Sequence, residues 1–266
     1  MSSIWIIAQN TFREALRQKL VLTLALSSCA IVAGSLFFQQ FNFGEGELKF
    51  IVDFGFGAMS FFGSILAIFA TAQIYFSELD QRTVHCLLAR PISRASFILG
   101  KFLGAVGIVW TFLALTGITL LAVMSYRAGQ LGDLAEAWIG SDVVVFGIVQ
   151  ALRALMLVAL VMLIGSYARS QLLTVIVVVF LWLVFQIQHI AAGIWEDAES
   201  WNAQAATFLL KFGVPNFELF NVGEQLVFRE PDLLRYSVLG GLGAYAVAFS
   251  SVYLALAVWS FGKREI

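Results

Sequence analysis

The chain is 266 residues long, with 60% hydrophobic residues, only 12% charged ones and a mean hydropathy of +0.88. Soluble domains carry about a quarter charged residues, so a soluble globular fold is excluded and an integral membrane protein is implied. The net charge of −1 says little about partners, whereas the placement of the charges says more.

Residues 3–17 put Ile4, Ile7, Ala8, Thr11, Phe12 and Ala15 on one helical face and Gln9, Asn10, Arg13 and Arg17 elsewhere. This is the pattern of an amphipathic helix lying at a membrane interface, with Trp5 suited to the headgroup level. Residues 20–38 form the first expected span, close to the roughly 20 residues that cross the hydrocarbon. Leu26-Ser27-Ser28-Cys29 resembles a lipoprotein cleavage box, but the apolar run continues well past Cys29, as in an uncleaved span. The second span, 52–76, is rich in Phe and interrupted by Gly55, Gly57 and Gly63, which serve close helix contact or the flexibility of a gate. A polar segment, 77–96, separates it from the third span, 97–124, which opens on Gly100-Lys101-Phe102-Leu103-Gly104, a spacing of small residues that favours tight packing.

A short loop leads to the fourth span, 143–167, and a tight turn at Ala168-Arg169-Ser170-Gln171 leads to the fifth, 172–192. The longest non-spanning segment, 193–236, has a helical apolar stripe ending near Gly213 and Pro215 and a second apolar piece at 217–228. Both read as short helices at, or dipping into, one membrane face. The sixth span is 237–261, with Pro231 in the first turn of its helix and Gly240, Ala244 and Ala248 as a packing face. No soluble domain or internal repeat is evident, so residues 1–266 read as a single transmembrane domain.

Six spans put both termini on one side. Arg13, Arg17, Lys19, Arg82, Arg90, Arg94, Lys101, Arg169, Lys263 and Arg264 fall on that side, against Lys49, Arg127, Lys211, Arg229 and Arg235 on the other. The positive-inside rule makes both termini cytoplasmic, in a plasma membrane of the bacterial inner-membrane type, with 193–236 facing outward.

The chain has no G-x-x-x-x-G-K-[ST], H-E-x-x-H or G-x-S-x-G sequence, so neither a phosphate-cradling loop nor a catalytic constellation is apparent. His85 and His189 are far apart on opposite expected sides, no metal site can be assembled, and Cys29 and Cys86 lie at different depths. Arg153 is the one charge well inside a span, roughly 16 Å along the helix from Asp142. Left unpaired it would oppose insertion by about 3 kcal/mol, so it faces protein or a wet cavity. Two readings stay open: contact with an anionic part of a substrate, or tying the bundle together through Gln150, Gln186 or carbonyl groups. Apart from His189 and Asp53 near the span ends, nothing supplies an intramembrane proton relay, so energy is expected to enter elsewhere.

The polar segment is the most informative stretch. In Ser77 to Lys101, Glu78 precedes Arg82 by one helical turn, Val84, Leu87 and Leu88 share a face, Pro91 ends the helix and Ser93 is placed to cap the next. A short helix held between two spans is a lever. The string Glu78, Arg82-Thr83, Leu87-Leu88, Arg90-Pro91-Ile92-Ser93-Arg94 and Gly100-Lys101 resembles the coupling segment of the permease subunits of type-2 ABC transporters. That resemblance implies an all-α polytopic fold with six transmembrane helices, the N-terminal interfacial helix and a cytoplasmic coupling helix. It implies docking on a separate cytoplasmic ATP-binding subunit through Glu78, Asp80, Arg82, Thr83, Leu87, Arg90, Pro91, Ser93 and Arg94. ATP and Mg would then belong to that partner, this chain holding no cofactor and being no enzyme itself. A second permease, identical or similar, would complete the assembly, 193–236 would form an extracellular gate, residues 3–17 would help brace the ATPase, and transport would run toward export. The alternatives are an ATP-independent carrier or channel, a membrane-embedded enzyme, or an ABC subunit that transmits force without transporting. Lipid is the expected surrounding, and nothing points to nucleic acid.

Overall fold

In lipid, a backbone must satisfy its own N–H and C=O groups, so long apolar runs become helices. The computed structural model describes residues 3–37, 47–80, 93–131, 140–196, 215–227 and 236–263, and no strand occurs among them. Its helices are α1 (Ser3–Leu16), α2 (Lys19–Gly34), α3 (Glu47–Asp80), α4 (Arg94–Leu131), α5 (Ser141–Tyr167), α6 (Gln171–Glu196), α7 (Gly223–Val227) and α8 (Tyr236–Lys263), with a 3₁₀ turn at Glu218–Phe220 before α7.

Among the described residues, five helices are long and apolar enough to cross a membrane: α2, α3, α4, α5 and α8. The fifth expected span, 172–192, falls in α6, whose apolar stretch with described side chains, Gln171–Gln186, is too short to count as one. With 34 and 38 residues, α3 and α4 are about 51 and 57 Å long, well beyond the roughly 30 Å of hydrocarbon. Both therefore tilt or project beyond the bilayer.

Pairwise contacts fix the directions. Gly55 meets Leu120, Gly63 meets Leu113 and Ile74 meets Lys101, so α3 and α4 are antiparallel. Gly147 lies by Met59 and Gly165 by Tyr75, so α5 runs parallel to α3. The end of α8 meets the end of α5, where Ser260 Oγ donates to the Ser166 carbonyl over 3.5 Å. One end of the bundle thus gathers the end of α3, the start of α4, the α5–α6 turn and the end of α8. Arg94, Lys101, Arg169 and Lys263 are there, and it is called the basic end below.

α5 is the centre of the core, touching α3, α4, α6 and α8 and burying most of its length. α2 and α8 are peripheral, with Leu22, Leu26, Val247, Val252 and Trp259 exposed on their outer faces. The small-residue face expected to pack in α8 is turned outward: Gly240, Ala244 and Ala248 are exposed, and a Cβ at Gly240 would meet nothing within 4 Å. α8 instead buries the face that carries Leu242, Ala246, Ser250, Ala257 and Phe261, which lies against α5 and α4.

α1 follows the amphipathic pattern. Ala8, Thr11 and Ala15 are buried, and the helix runs alongside the first turns of α4 in the same direction. The approach is close enough to require glycine in α4. A Cβ at Gly104 would stand 2.6 Å from Thr11 Cβ and 2.8 Å from the Ala8 carbonyl oxygen, and one at Gly100 would stand 2.7 Å from Ile7 Cβ.

Candidate functional site

Two places combine polar chemistry with a position that matters, one at the basic end and one at mid-membrane.

At the basic end, both arms of the 77–96 segment are described. α3 continues unbroken through Ser77 to Asp80, so the first residues of the segment are the last turn of a spanning helix rather than a separate short one. The side chains of Glu78 and Asp80 lie outside the described residues, as do Arg82, Thr83, Leu87, Arg90 and Pro91 altogether. Ser93 caps α4 as expected: its Oγ accepts from the Ser96 N–H at 3.1 Å, and its carbonyl accepts from the Phe97 N–H at 3.2 Å.

Arg94 turns to the chain's own last helix. Its Nη1 donates to the carbonyls of Gly262 at 2.6 Å and Phe261 at 3.3 Å. A helix C-terminus leaves its last carbonyls without intrahelical donors and carries partial negative charge, which a guanidinium satisfies on both counts. Phe97, one turn on, stacks on Phe261 with centroids 5.7 Å apart and planes at 15°. Lys101, fully buried, donates from Nζ to the Ile74 carbonyl at 2.7 Å and lies 5.7 Å from the centre of the Phe97 ring. Ser77 Oγ donates to Glu14 Oε1 at 3.1 Å, joining α3 to α1. The first two turns of α4 are thereby joined to α1, α3 and α8 at once. In the sequence Lys101 stands both among the charges of the basic side and in the Gly100-Lys101 part of the resembling string; its place between Gly100 and Gly104 is the sign that it points into a helix contact.

At mid-membrane, Arg153 is twelve residues into α5, about 18 Å from its start. The side chain is 2% exposed. Its Nη1 donates to Ser60 Oγ of α3 at 2.8 Å and to Gln150 Oε1 at 3.4 Å. Gln150 Nε2 in turn donates to the Phe220 carbonyl at 3.1 Å, and the Phe217 ring lies 5.7 Å from the guanidinium carbon. Of the partners expected for Arg153, Gln150 is engaged, while Gln186 is not joined to it and its buried Oε1 has no partner among the described residues.

The segment that supplies Phe217 and Phe220 enters the bundle from the end opposite the basic one. Pro215, Phe217, Phe220, Val222 and Leu226 are buried among α3, α5 and α6. Non-helical backbone at this depth is tolerated only where its polar groups find protein partners. They do: the Asn216 N–H donates to Tyr245 Oη at 2.9 Å, the Glu218 N–H to Asn216 Oδ1 at 2.9 Å, and the Phe220 N–H to the Phe217 carbonyl at 3.1 Å. The described part of 217–228 is a 3₁₀ turn followed by the short helix α7, seated in the bundle as a re-entrant turn; the stripe expected over 195–212 lies, beyond Glu196, outside the described residues. Ser60 and Tyr245, the partners that seat this turn and Arg153, were not singled out, since a lone Ser or Tyr in a span carries no local mark.

An apolar cleft of about 350 Å³ runs between α4 and α5, floored by Gly117 and Gly147, and Trp110 Nε1 bridges it by donating to the Ala151 carbonyl at 3.1 Å. Among the described residues, no group of three or more His, Cys, Asp or Glu is placed to hold a metal ion. A family model described as ABC-2 family transporter protein matches residues 5–266. No curated protein matches the chain.

Proposed function

Since the chain belongs to the ABC-2 transporter family, as a membrane-spanning permease component, we propose that it couples ATP hydrolysis by a separate cytoplasmic subunit to export of a substrate. The observation that carries this reading is the construction of the basic end. α3 and α4 lead into the 77–96 segment from either side, and the base of α4 is hydrogen-bonded to α3 and α8 and packed closely on α1, which is itself bonded to α3, so a push on the segment is delivered to three other helices together. ATP and its Mg sit on the partner, whose closure on the segment rocks this bundle against a second permease, with substrate passing between the two. The basic end is cytoplasmic, α6 completes a sixth crossing beyond Gln186, and the re-entrant turn closes the outer side.

The interface residues proposed for the ATPase are Glu78, Asp80, Arg82, Thr83, Leu87, Arg90 and Pro91, with Ser93 and Arg94 serving the hinge between segment and bundle. The test is a mild-detergent purification from the native membrane, with identification of copurifying subunits and an ATPase assay. A stoichiometric ATP-binding partner, reduced more than about tenfold in the Arg82→Glu, Arg90→Glu double variant while membrane insertion persists, is the expected outcome. A chain that purifies intact without any ATP-binding partner would return the reading to a carrier.

A further inference from the structure

Two clefts adjoin along α4. The first, of about 470 Å³, lies between α1, the early turns of α4 and Leu155 of α5; the second is the apolar cleft of about 350 Å³ between α4 and α5. Trp110 lines both, its ring pinned across the α4–α5 groove by the bond from Nε1 to the Ala151 carbonyl. Past that ring the second cleft continues to Leu121 and Val143.

Helix register gives the depth of this path. The apolar helix from Lys19 to Phe37 has 19 residues, about 28 Å, close to the thickness of the hydrocarbon. It is joined to α4 where the Ser28 and Thr116 hydroxyls meet at 3.3 Å and where Thr119 Oγ1 donates to Cys29 Sγ at 3.5 Å, so the two run in the same direction. Counting back equally from Ser28 and Thr116 puts Lys19 level with Gly107, which therefore marks the hydrocarbon edge on the basic side. Leu103 then lies about 6 Å outside that edge, at headgroup level, and Leu121 about 21 Å inside it.

The lining changes in the same sense. Arg13 and Gln9 stand on the first cleft, where the neighbouring Phe12 meets Gly107, while the second is lined by apolar residues throughout. Arg13 is exposed and makes no hydrogen bond or ion pair among the described residues, and Glu14 beside it is turned to α3, accepting from Ser77 Oγ. Among the described residues no carboxylate lines either cleft. A two-fold copy of this face would bring a second cation and no anion, so the charge calls for a phosphate rather than a second subunit.

We propose that this path holds one anionic phospholipid of the leaflet at the basic end, with its phosphate on Arg13 and Gln9 and one acyl chain lying past Trp110 in the α4–α5 cleft. An apolar path that runs into the hydrocarbon from a cation at its edge has the polarity order of such a lipid.

The experiment is native mass spectrometry of the full-length protein in mild detergent, with phosphatidylglycerol or phosphatidylcholine of the same acyl chains added at equal concentration. The expected result is one phosphatidylglycerol retained per chain with a preference of about fivefold, the effect of one basic side chain at a membrane surface. That preference is lost in Arg13→Gln, an exposed position whose replacement leaves the fold in place, and kept in Arg169→Gln, exposed at the α5–α6 turn. Ala114→Phe, which fills the second cleft from an exposed position, lowers retention of both lipids. Equal retention of the two lipids by the unaltered protein, an unchanged preference in Arg13→Gln, unchanged retention in Ala114→Phe, or displacement of the lipid by inorganic phosphate alone overturns the proposal. So does a Leu103→Cys chain, free of Cys29 and Cys86, that oxidises to a dimer in native membranes, since the face would then belong to a second copy.

Discussion

Gly104 and Gly240 both sit in small-residue spacings on spanning helices, yet only one meets a neighbour. A Cβ at Gly104 would press on the Ala8 carbonyl oxygen and Thr11, whereas at Gly240 it would enter open space. Gly104→Val is expected to lower stability by about 1–3 kcal/mol by forcing α1 away. Gly240→Ala should stay within about 0.5 kcal/mol, as for a surface change. Unfolding midpoints of the two variants check this, and equal loss in both would refute the α1–α4 contact. Spacing in the sequence shows that a close approach is allowed, not whether another helix arrives to use it. Arg153 divides in the same way. Gln150 was legible as its partner because it lies one turn away on the same helix, whereas Ser60 comes from a helix 93 residues distant and nothing local marks it.

Helix ends and the re-entrant turn are matters of whole elements. Ser93→Ala removes the cap of α4 and should weaken its first turn by about 1 kcal/mol. Hydrogen exchange should quicken at Ser96 and Phe97, whose N–H groups Ser93 receives, and unchanged exchange there would sink the assignment. Tyr245→Phe strips the acceptor from the Asn216 N–H. Leaving that donor unsatisfied should loosen the turn by about 1–3 kcal/mol, read as faster exchange over 216–221 with little change in α5. The Ser93 cap was readable because capping is local chemistry with a fixed spacing. The turn was readable only as an apolar piece near a membrane face, since its seat on Gln150 and Tyr245 is made by residues 70 and 29 positions away. Arg94 is the sharper case: in sequence it continues a basic loop, while in space it closes the end of α8.

For the molecule as a whole, the sorting of charge predicts topology. With the basic end cytoplasmic, Asn221→Cys should react with an impermeant thiol reagent added outside intact cells once Cys29 and Cys86 are replaced. Lys263→Cys should react only after permeabilisation. Labelling of Lys263→Cys from outside would invert the assignment. The all-helical, membrane-spanning character was legible from composition and run length, because lipid leaves few alternatives. The order of packing, with α5 at the centre and α8 against it, was not, because all the spans are apolar and run length does not rank them.

The bond from Arg94 to the carbonyls of Phe261 and Gly262 joins positions 167 and 168 residues apart. At about 5–20 residues per second of synthesis, the start of α4 leaves the ribosome roughly 10–30 s before its partner exists. α5, likewise, is inserted well ahead of α8, the helix that covers it most extensively. The nascent protein thus waits in the bilayer with its middle unfinished, open to insertion chaperones and membrane proteases. A message truncated before residue 236 yields a product held in that state, recognisable to quality control by the uncovered flank of α5.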